Sequence, residues 1–325
     1  MIQDQKPAAS PSWKLYAPYV ALVVLAVAWS AYWYVASRAT DAALDNWFAQ
    51  ERSFGRAWAC GERGVGGYPF RIELRCTNPS FEGRLGAAQG KAQIGDLLAA
   101  SHLYNPKLIV GEFKSPLNFR AQDHGVEIGI EWKKLLISHR MGQSPGQTSI
   151  EMDDGVLRAK DPMVTIDLRA EKFEFHLRPT PEATDASLDL ALRFVKLQSA
   201  PLDQLTGESS PVDAVLSLTF SQSSAFKGAN LAQSLESWRQ AQGKLTINEL
   251  KLAKANARLE VKGPLALDEA RRVTGKLNIE ANGLGRLMAA QGVPAPNNLR
   301  LPLTLENGRA SLGPLRLNIP LPSLY

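Results

Sequence analysis

Chemistry in this chain would have to come from a short inventory: two cysteines, four histidines, one Ser-x-x-Lys quartet, one acidic cluster and one glycine-rich stretch. Cys60 and Cys76 lie close together, an even and local pair of the kind that an oxidising compartment links as a disulfide. Closing a loop of about 15 residues contributes on the order of 3 kcal/mol in the chain-entropy model. Two buried free thiols or a metal pair are the alternatives, and a metal pair needs further ligands. His102, His124, His139 and His176 show no ligand spacing to the cysteines. Ser224-Ala225-Phe226-Lys227 has the spacing at which a lysine can help activate a serine nucleophile. The companion Ser-Asp-Asn and Lys-Thr-Gly elements are absent, and the quartet reads as a polar loop after a strand. Asp153-Asp154-Gly155, with Glu151 nearby, suggests calcium but lacks the EF-hand spacing, and Asp-Gly is simply a good turn. Gly64-Val65-Gly66-Gly67 leads into a strand through Pro69, so no helix N-terminus follows to bind phosphate. Nucleotide, hydrolase and zinc-protease motifs are missing. No catalytic, cofactor-binding or metal-binding residue is expected, and the chain reads as a non-enzyme.

The elements that position these residues begin with a helix. From Tyr16 to Ser37 no side chain is charged, enough helix at about 1.5 Å per residue to cross a roughly 30 Å hydrocarbon core. Val20, Leu22, Val23 and Leu25 form its middle. Trp29, Tyr32, Trp33 and Tyr34 form an aromatic belt at one end, with Tyr16 and Tyr19 at the other. A buried core helix seldom stays uncharged for so long. A cleaved signal peptide is the closer rival, since Lys6 and Lys14 supply a basic leader, but the apolar run exceeds an h-region of about 7 to 15 residues. The two lysines lie on the near side, whereas Arg38 on the far side is offset by Asp41 and Asp45. The positive-inside tendency then puts residues 1–15 in the cytoplasm as a tail and everything after the span, 16–37, outside it. Residues 38–56, with Leu44, Trp47, Phe48 and Phe54 at helical spacing, continue the span or lie along the membrane surface.

Past residue 56 the period changes to two. In Pro69 to Cys76, Phe70, Ile72, Leu74 and Cys76 alternate with Arg71, Glu73 and Arg75, as in a half-buried strand after a Gly66-Gly67 turn. Tyr68 and Phe70 could contact a ligand there, although packing against the hairpin is the simpler account. The alternation recurs at Leu117–Arg120, Leu188–Phe194, Val212–Phe220, Lys244–Ile247, Arg258–Lys262, Lys276–Glu280, Leu301–Leu305 and Leu315–Ile319. Two later stretches read as helices: Asn230 to Ala241, behind an asparagine cap, and Leu284 to Gln291. Strands without alternating helices exclude a doubly wound fold and predict an antiparallel meander. A sheet of roughly ten or more strands must curl, split into a sandwich or close. The predicted fold is mainly β: an N-terminal transmembrane helix, then an elongated, curled antiparallel sheet over 57–325, groove-like or a sandwich, with a few short helices.

Composition agrees with a folded chain, at 45% hydrophobic and 21% charged residues. The net charge of +5 is spread thinly, with no basic block, so nucleic acid is not an expected partner.

Several segments in order resemble an uncharacterised bacterial envelope family, domain of unknown function 2125. They are Gly67-Tyr68-Pro69-Phe70-Arg71-Ile72 leading to Cys76, Tyr104-Asn105-Pro106 running to Ser115-Pro116-Leu117, and Trp238-Arg239-Gln240-Ala241-Gln242-Gly243. Gly263-Pro264-Leu265-Ala266-Leu267-Asp268 and Asn307-Gly308-Arg309 to Gly313-Pro314-Leu315 complete the set. The family is similar in build to AsmA-like envelope proteins, with an inner-membrane anchor and a β-rich body bearing an apolar groove. The resemblance implies a periplasmic domain on the bacterial inner membrane and either the handling of a phospholipid or glycolipid between membranes or the support of outer-membrane biogenesis. It carries no functional residues. The rival expectation is a structural or assembly factor, a filled sandwich docking other envelope proteins.

Overall fold

The computed structural model describes residues 13–85, 88–122, 125–142, 145–161, 164–283 and 298–325. Met1 to Ser12, Lys6 among them, His124 and the helix expected at Leu284 to Gln291 lie outside the described residues. Helix α1 (Trp13–Ser53) is unbroken, so span and juxtamembrane segment are one rod. Val20, Leu22, Val23 and Leu25 point outward, 58–69% exposed, and no described residue covers them. The rod stops at Gly55, whose φ of +73° an L side chain rarely adopts. Gly55 N donates to Arg52 O at 3.0 Å and Arg56 N donates to Glu51 O at 3.0 Å, the paired 5→2 and 6→1 bonds that satisfy a helix's last carbonyls.

Among the described residues twenty strands follow in one antiparallel sheet. β1 (Ala57–Ala59) and β2 (Arg63–Gly66) lie against α1. The next eight strands are pieces of four longer paths. β3 (Arg71–Cys76) runs on into β4 (Ser80–Leu85), and β5 (Ala88–Ile94) into β6 (Leu97–His102). β7 (Asn105–Phe113) runs into β8 (Leu117–Ala121), and β9 (Glu127–Glu131) into β10 (Lys134–Arg140). One branch is β2–β3–β6–β7–β10; the other is β1–β4–β5–β8–β9. β11 (Gln147–Lys160) takes β10 along its first half and β9 along its second, joining the branches.

The interruptions at 77–79, 95–96, 114–116 and 132–133 therefore lie side by side and form a crease. Its backbone is satisfied within itself: Ile94 N donates to Pro79 O (3.0 Å), Gly95 N to Pro116 O (3.0 Å), and Lys114 N to Asp96 O (2.8 Å). A Cβ on Gly95 would run into the Lys114 carbonyl oxygen, so the crease closes around glycine. The turn expected at Asp153-Asp154-Gly155 is instead the place where the crease crosses β11. Asp154 takes φ +52° in mid-strand, a conformation that aspartate tolerates better than most residues.

Beyond the crease the strands form a plain meander. They are β12 (Thr165–Pro179), β13 (Leu188–Ser199), β14 (Val212–Phe220), β15 (Leu245–Lys254) and β16 (Ala257–Leu267). β17 (Val273–Asn282), β18 (Asn298–Glu306), β19 (Arg309–Leu312) and β20 (Leu315–Pro320) complete it. Among the described residues β20 pairs with β19 alone and β2 with β3 alone, and the sheet does not close.

Two short helices sit at hairpin ends. α3 (Leu231–Gln240) starts where the sequence places it, with the Asn230 carboxamide oxygen accepting from Gln233 N at 2.9 Å. Its Trp238 stacks on Phe220 at 4.9 Å. α2 (Ala200–Thr206) was not expected; its seven residues carry only a proline near the start as a signal. Tertiary structure fixes it, for the Lys254 ammonium, 9% exposed, donates to Asp203 Oδ1 and to the Ser210 carbonyl, both at 2.6 Å.

Candidate functional site

Register decides which side chains share a face, because residues directly opposite in a ladder point the same way. One row crosses twelve strands as Leu74, Ala99, Gly111, Ile137, Ile150, Phe175, Leu192, Leu216, Leu250, Val261, Ile279 and Leu301. A parallel row runs from Cys76 and Leu97 through Phe113, Leu135, Met152, Phe173 and Phe194 to Ala214, Leu252, Leu259, Ala281 and Leu299. Neither contains a charge. Past the crease the same pattern continues as Phe81, Ala92, Phe119, Ile128, Ala159 and Ile166.

These rows are not a filled core. Only Gly111 and Val261 of the first row are buried, and only Cys76 and Ala281 of the second. No large side chain is below 2% exposed among the described residues. Full burial of a leucine or phenylalanine is worth about 1.5–3 kcal/mol, and much of that remains unrealised along this face. A covering helix appears at one corner, where Trp238 of α3 lies on Phe220 and donates its indole N–H to Ser221 O at 2.7 Å.

The opposite face is charged and self-paired. Arg75, Glu112, Glu151, Glu174, Arg193, Lys251, Glu260, Glu280 and Arg300 share one of its rows. Lys172 beside Glu174 holds that carboxyl below its ordinary range, and Lys262 does the same to Glu260. A depression of about 890 Å³ past the crease is lined by residues of both rows: the pairs Lys91–Glu82 and Arg120–Glu127, each 3.0 Å, and Phe81, Ala92, Phe119 and Ile128.

The residues singled out for chemistry are dispersed. Cys60 and Cys76 are bonded, Cα to Cα 5.4 Å, and tie the end of β1 to the end of β3 beside the crease. Ser224 sits in a single 3₁₀ turn (Ser223–Ala225) whose neighbour Phe226 packs on Phe220 at 5.6 Å. His139 and His176 bond Thr148 and Ser149, both at 3.0 Å, and His102 stacks on Tyr104. No group of three or more metal-ligating side chains occurs among the described residues.

Sequence reasoning missed the seam between helix and sheet. The Trp29 indole donates to Pro69 O at 2.7 Å and the Trp33 indole donates to Arg71 O at 2.9 Å, one helical turn apart. Higher up, Arg63 bridges Asp41 (2.9 Å) and Asp45 (2.7 Å), while Glu51 accepts from Arg56 and Trp58. The i, i+4 spacing of Trp29–Trp33 and Asp41–Asp45 was the available signal, for it puts each pair on one face of the rod.

A helix long and apolar enough to cross a membrane, carrying an open antiparallel sheet with one continuous apolar face, defines the class of this protein. The chain belongs to the family described as an uncharacterized protein conserved in bacteria, DUF2125, whose model matches residues 33–292. No curated protein and no solved structure matches it.

Proposed function

We propose that this protein is a non-enzymatic, single-pass protein of the bacterial inner membrane whose periplasmic sheet holds or passes the acyl chains of a phospholipid or glycolipid. The observation that carries the reading is the pair of uncharged rows, each crossing twelve strands, left half-exposed. Apolar surface in a strip this long is costly in water and matches the shape of a hydrocarbon chain.

The test is site-specific photocrosslinking in living cells, with a benzophenone side chain at Leu216 on the apolar face or at Lys251 on the polar one. An adduct of lipid mass at Leu216 and none at Lys251 is expected. A protein-sized adduct at Leu216, or none, sinks the reading. The second reading is a docking factor. It is favoured by the open edge at β20, where Leu315 is 61% exposed, and would give protein adducts there.

A further inference from the structure

The seam between α1 and the sheet fixes how deep one end of the sheet reaches. About twenty helical residues cross the hydrocarbon core, so a span entering at Tyr16 leaves near Val35. Trp29 lies six residues before that point, roughly 9 Å within the core at 1.5 Å per residue. Yet Trp29 and Trp33 are the residues that grip the turn between β2 and β3. Ser30 Oγ and the Tyr68 hydroxyl are 2.9 Å apart, and the Phe70 ring stands 6.4 Å from that of Trp29. The turn is therefore at or below the headgroup boundary.

Its composition suits that depth. Tyr68 and Phe70 are 58% and 63% exposed although α1 touches both, and no charge occurs from Val65 to Phe70. The neighbouring turn between β6 and β7 is joined to it through Leu103 N donating to Phe70 O at 3.0 Å. It presents Tyr104, 71% exposed. One step back lie Lys107 and Arg140, exposed and without an ion pair among the described residues. They are brought level with each other by Met141 N donating to Lys107 O at 2.8 Å. Aromatic rings in front and cations behind is the order in which a bilayer presents its boundary and its phosphates.

We propose that these turns form a membrane-seated lip. Tyr68, Phe70 and Tyr104 enter the boundary of the leaflet that α1 leaves, Lys107 and Arg140 meet its phosphates, and the sheet's apolar face begins at the bilayer. The lip rests on the reading of α1 as a span but does not require an acyl chain on the sheet.

The test is nitroxide labelling of the full chain in vesicles of phosphatidylcholine and phosphatidylglycerol, with the Cys60–Cys76 bond intact. Labels at Val24→Cys, Phe70→Cys, Tyr104→Cys and Val164→Cys are compared for collision with oxygen, which enters the bilayer, and with a water-soluble nickel chelate. Val164 is 53% exposed, in the turn between β11 and β12 at the other end of the strands. The label at 104 is expected to show an oxygen-to-nickel ratio several-fold above that at 164, approaching that at 24, with 70 agreeing. A ratio at 104 equal to that at 164, while 24 is embedded, overturns the lip and leaves the span standing. Shielding of 104 from both probes also overturns it and indicates a protein occupant. A label at 24 open to nickel removes the span, and the lip with it.

Discussion

The two faces of the sheet share one backbone and have opposite chemistry. On the charged face the cross-strand pairs Arg193–Glu174, Arg300–Glu280 and Arg158–Glu131 neutralise one another in water, each worth little. On the apolar face nothing neutralises the surface except what comes to lie on it; among the described residues α3 lies on Phe220 at one corner, α2 meets Lys254 at another, and Trp47 of α1 packs on Trp58 beside Phe81. A face that is complete by itself is a wall, whereas a face left incomplete over twelve strands is the candidate site. The crease adds a second contrast: it shifts the alternation by one residue without turning the apolar pattern away, as Ile150 and Met152 give way to Leu157 and Ala159 along β11.

The strongest way to break the contrast is to free the near end of the apolar face. Replacing Cys60 and Cys76 by serine should cost about 3 kcal/mol in urea unfolding and open the β3–β6 ladder first in hydrogen exchange. An unchanged ladder would mean that α1 alone holds this edge. Next, Leu250→Asp and Lys251→Gln compare neighbours on opposite faces. The first should cost about 2 kcal/mol and abolish the lipid adduct at Leu216. The second should stay within about 0.5 kcal/mol and leave the adduct intact. Equal effects from both would erase the distinction between the faces.

A third comparison concerns the covered corner. Arg239, then Tyr325 and Gln240, hold the Glu236 carboxyl down at about 2 rather than 4.5. A lowered carboxylate stabilises the fold above its unfolded value and loses that contribution as pH falls through its folded one. Wild type should therefore exceed Glu236→Gln in thermal stability above pH 4.5, and the gap should shrink to nothing towards pH 2. A constant gap would assign the effect to shape rather than charge. The smallest effect belongs to the polar face: Arg300→Gln should change stability by less than about 0.5 kcal/mol, and less still in high salt.

Much of this was legible. The uncharged run of α1, the alternation in β13, β14, β16, β17 and β18, the cap at Asn230 and the cysteine pair all rest on local rules. The early strands were read only in fragments such as Leu117–Arg120, because each path changes phase at the crease and a period of two cannot be followed through it. The same blindness made Asp153-Asp154-Gly155 look like a turn. Helix α2 was invisible since its reason, a buried ammonium at Lys254, lies some fifty residues away.

By itself the sequence determined the elements: a helix with a stretch long and apolar enough to cross a membrane, strands with one apolar and one charged side, and two cysteines close enough to pair. Those follow from the period of each secondary structure and the solvation of each side chain, which neighbours along the chain suffice to specify. Only the tertiary structure decided that the apolar sides align across the crease into one surface, that this surface stays open, and that its first turns are pinned beside Trp29 and Trp33. Register and long-range hydrogen bonds set these, and both depend on which distant residues meet.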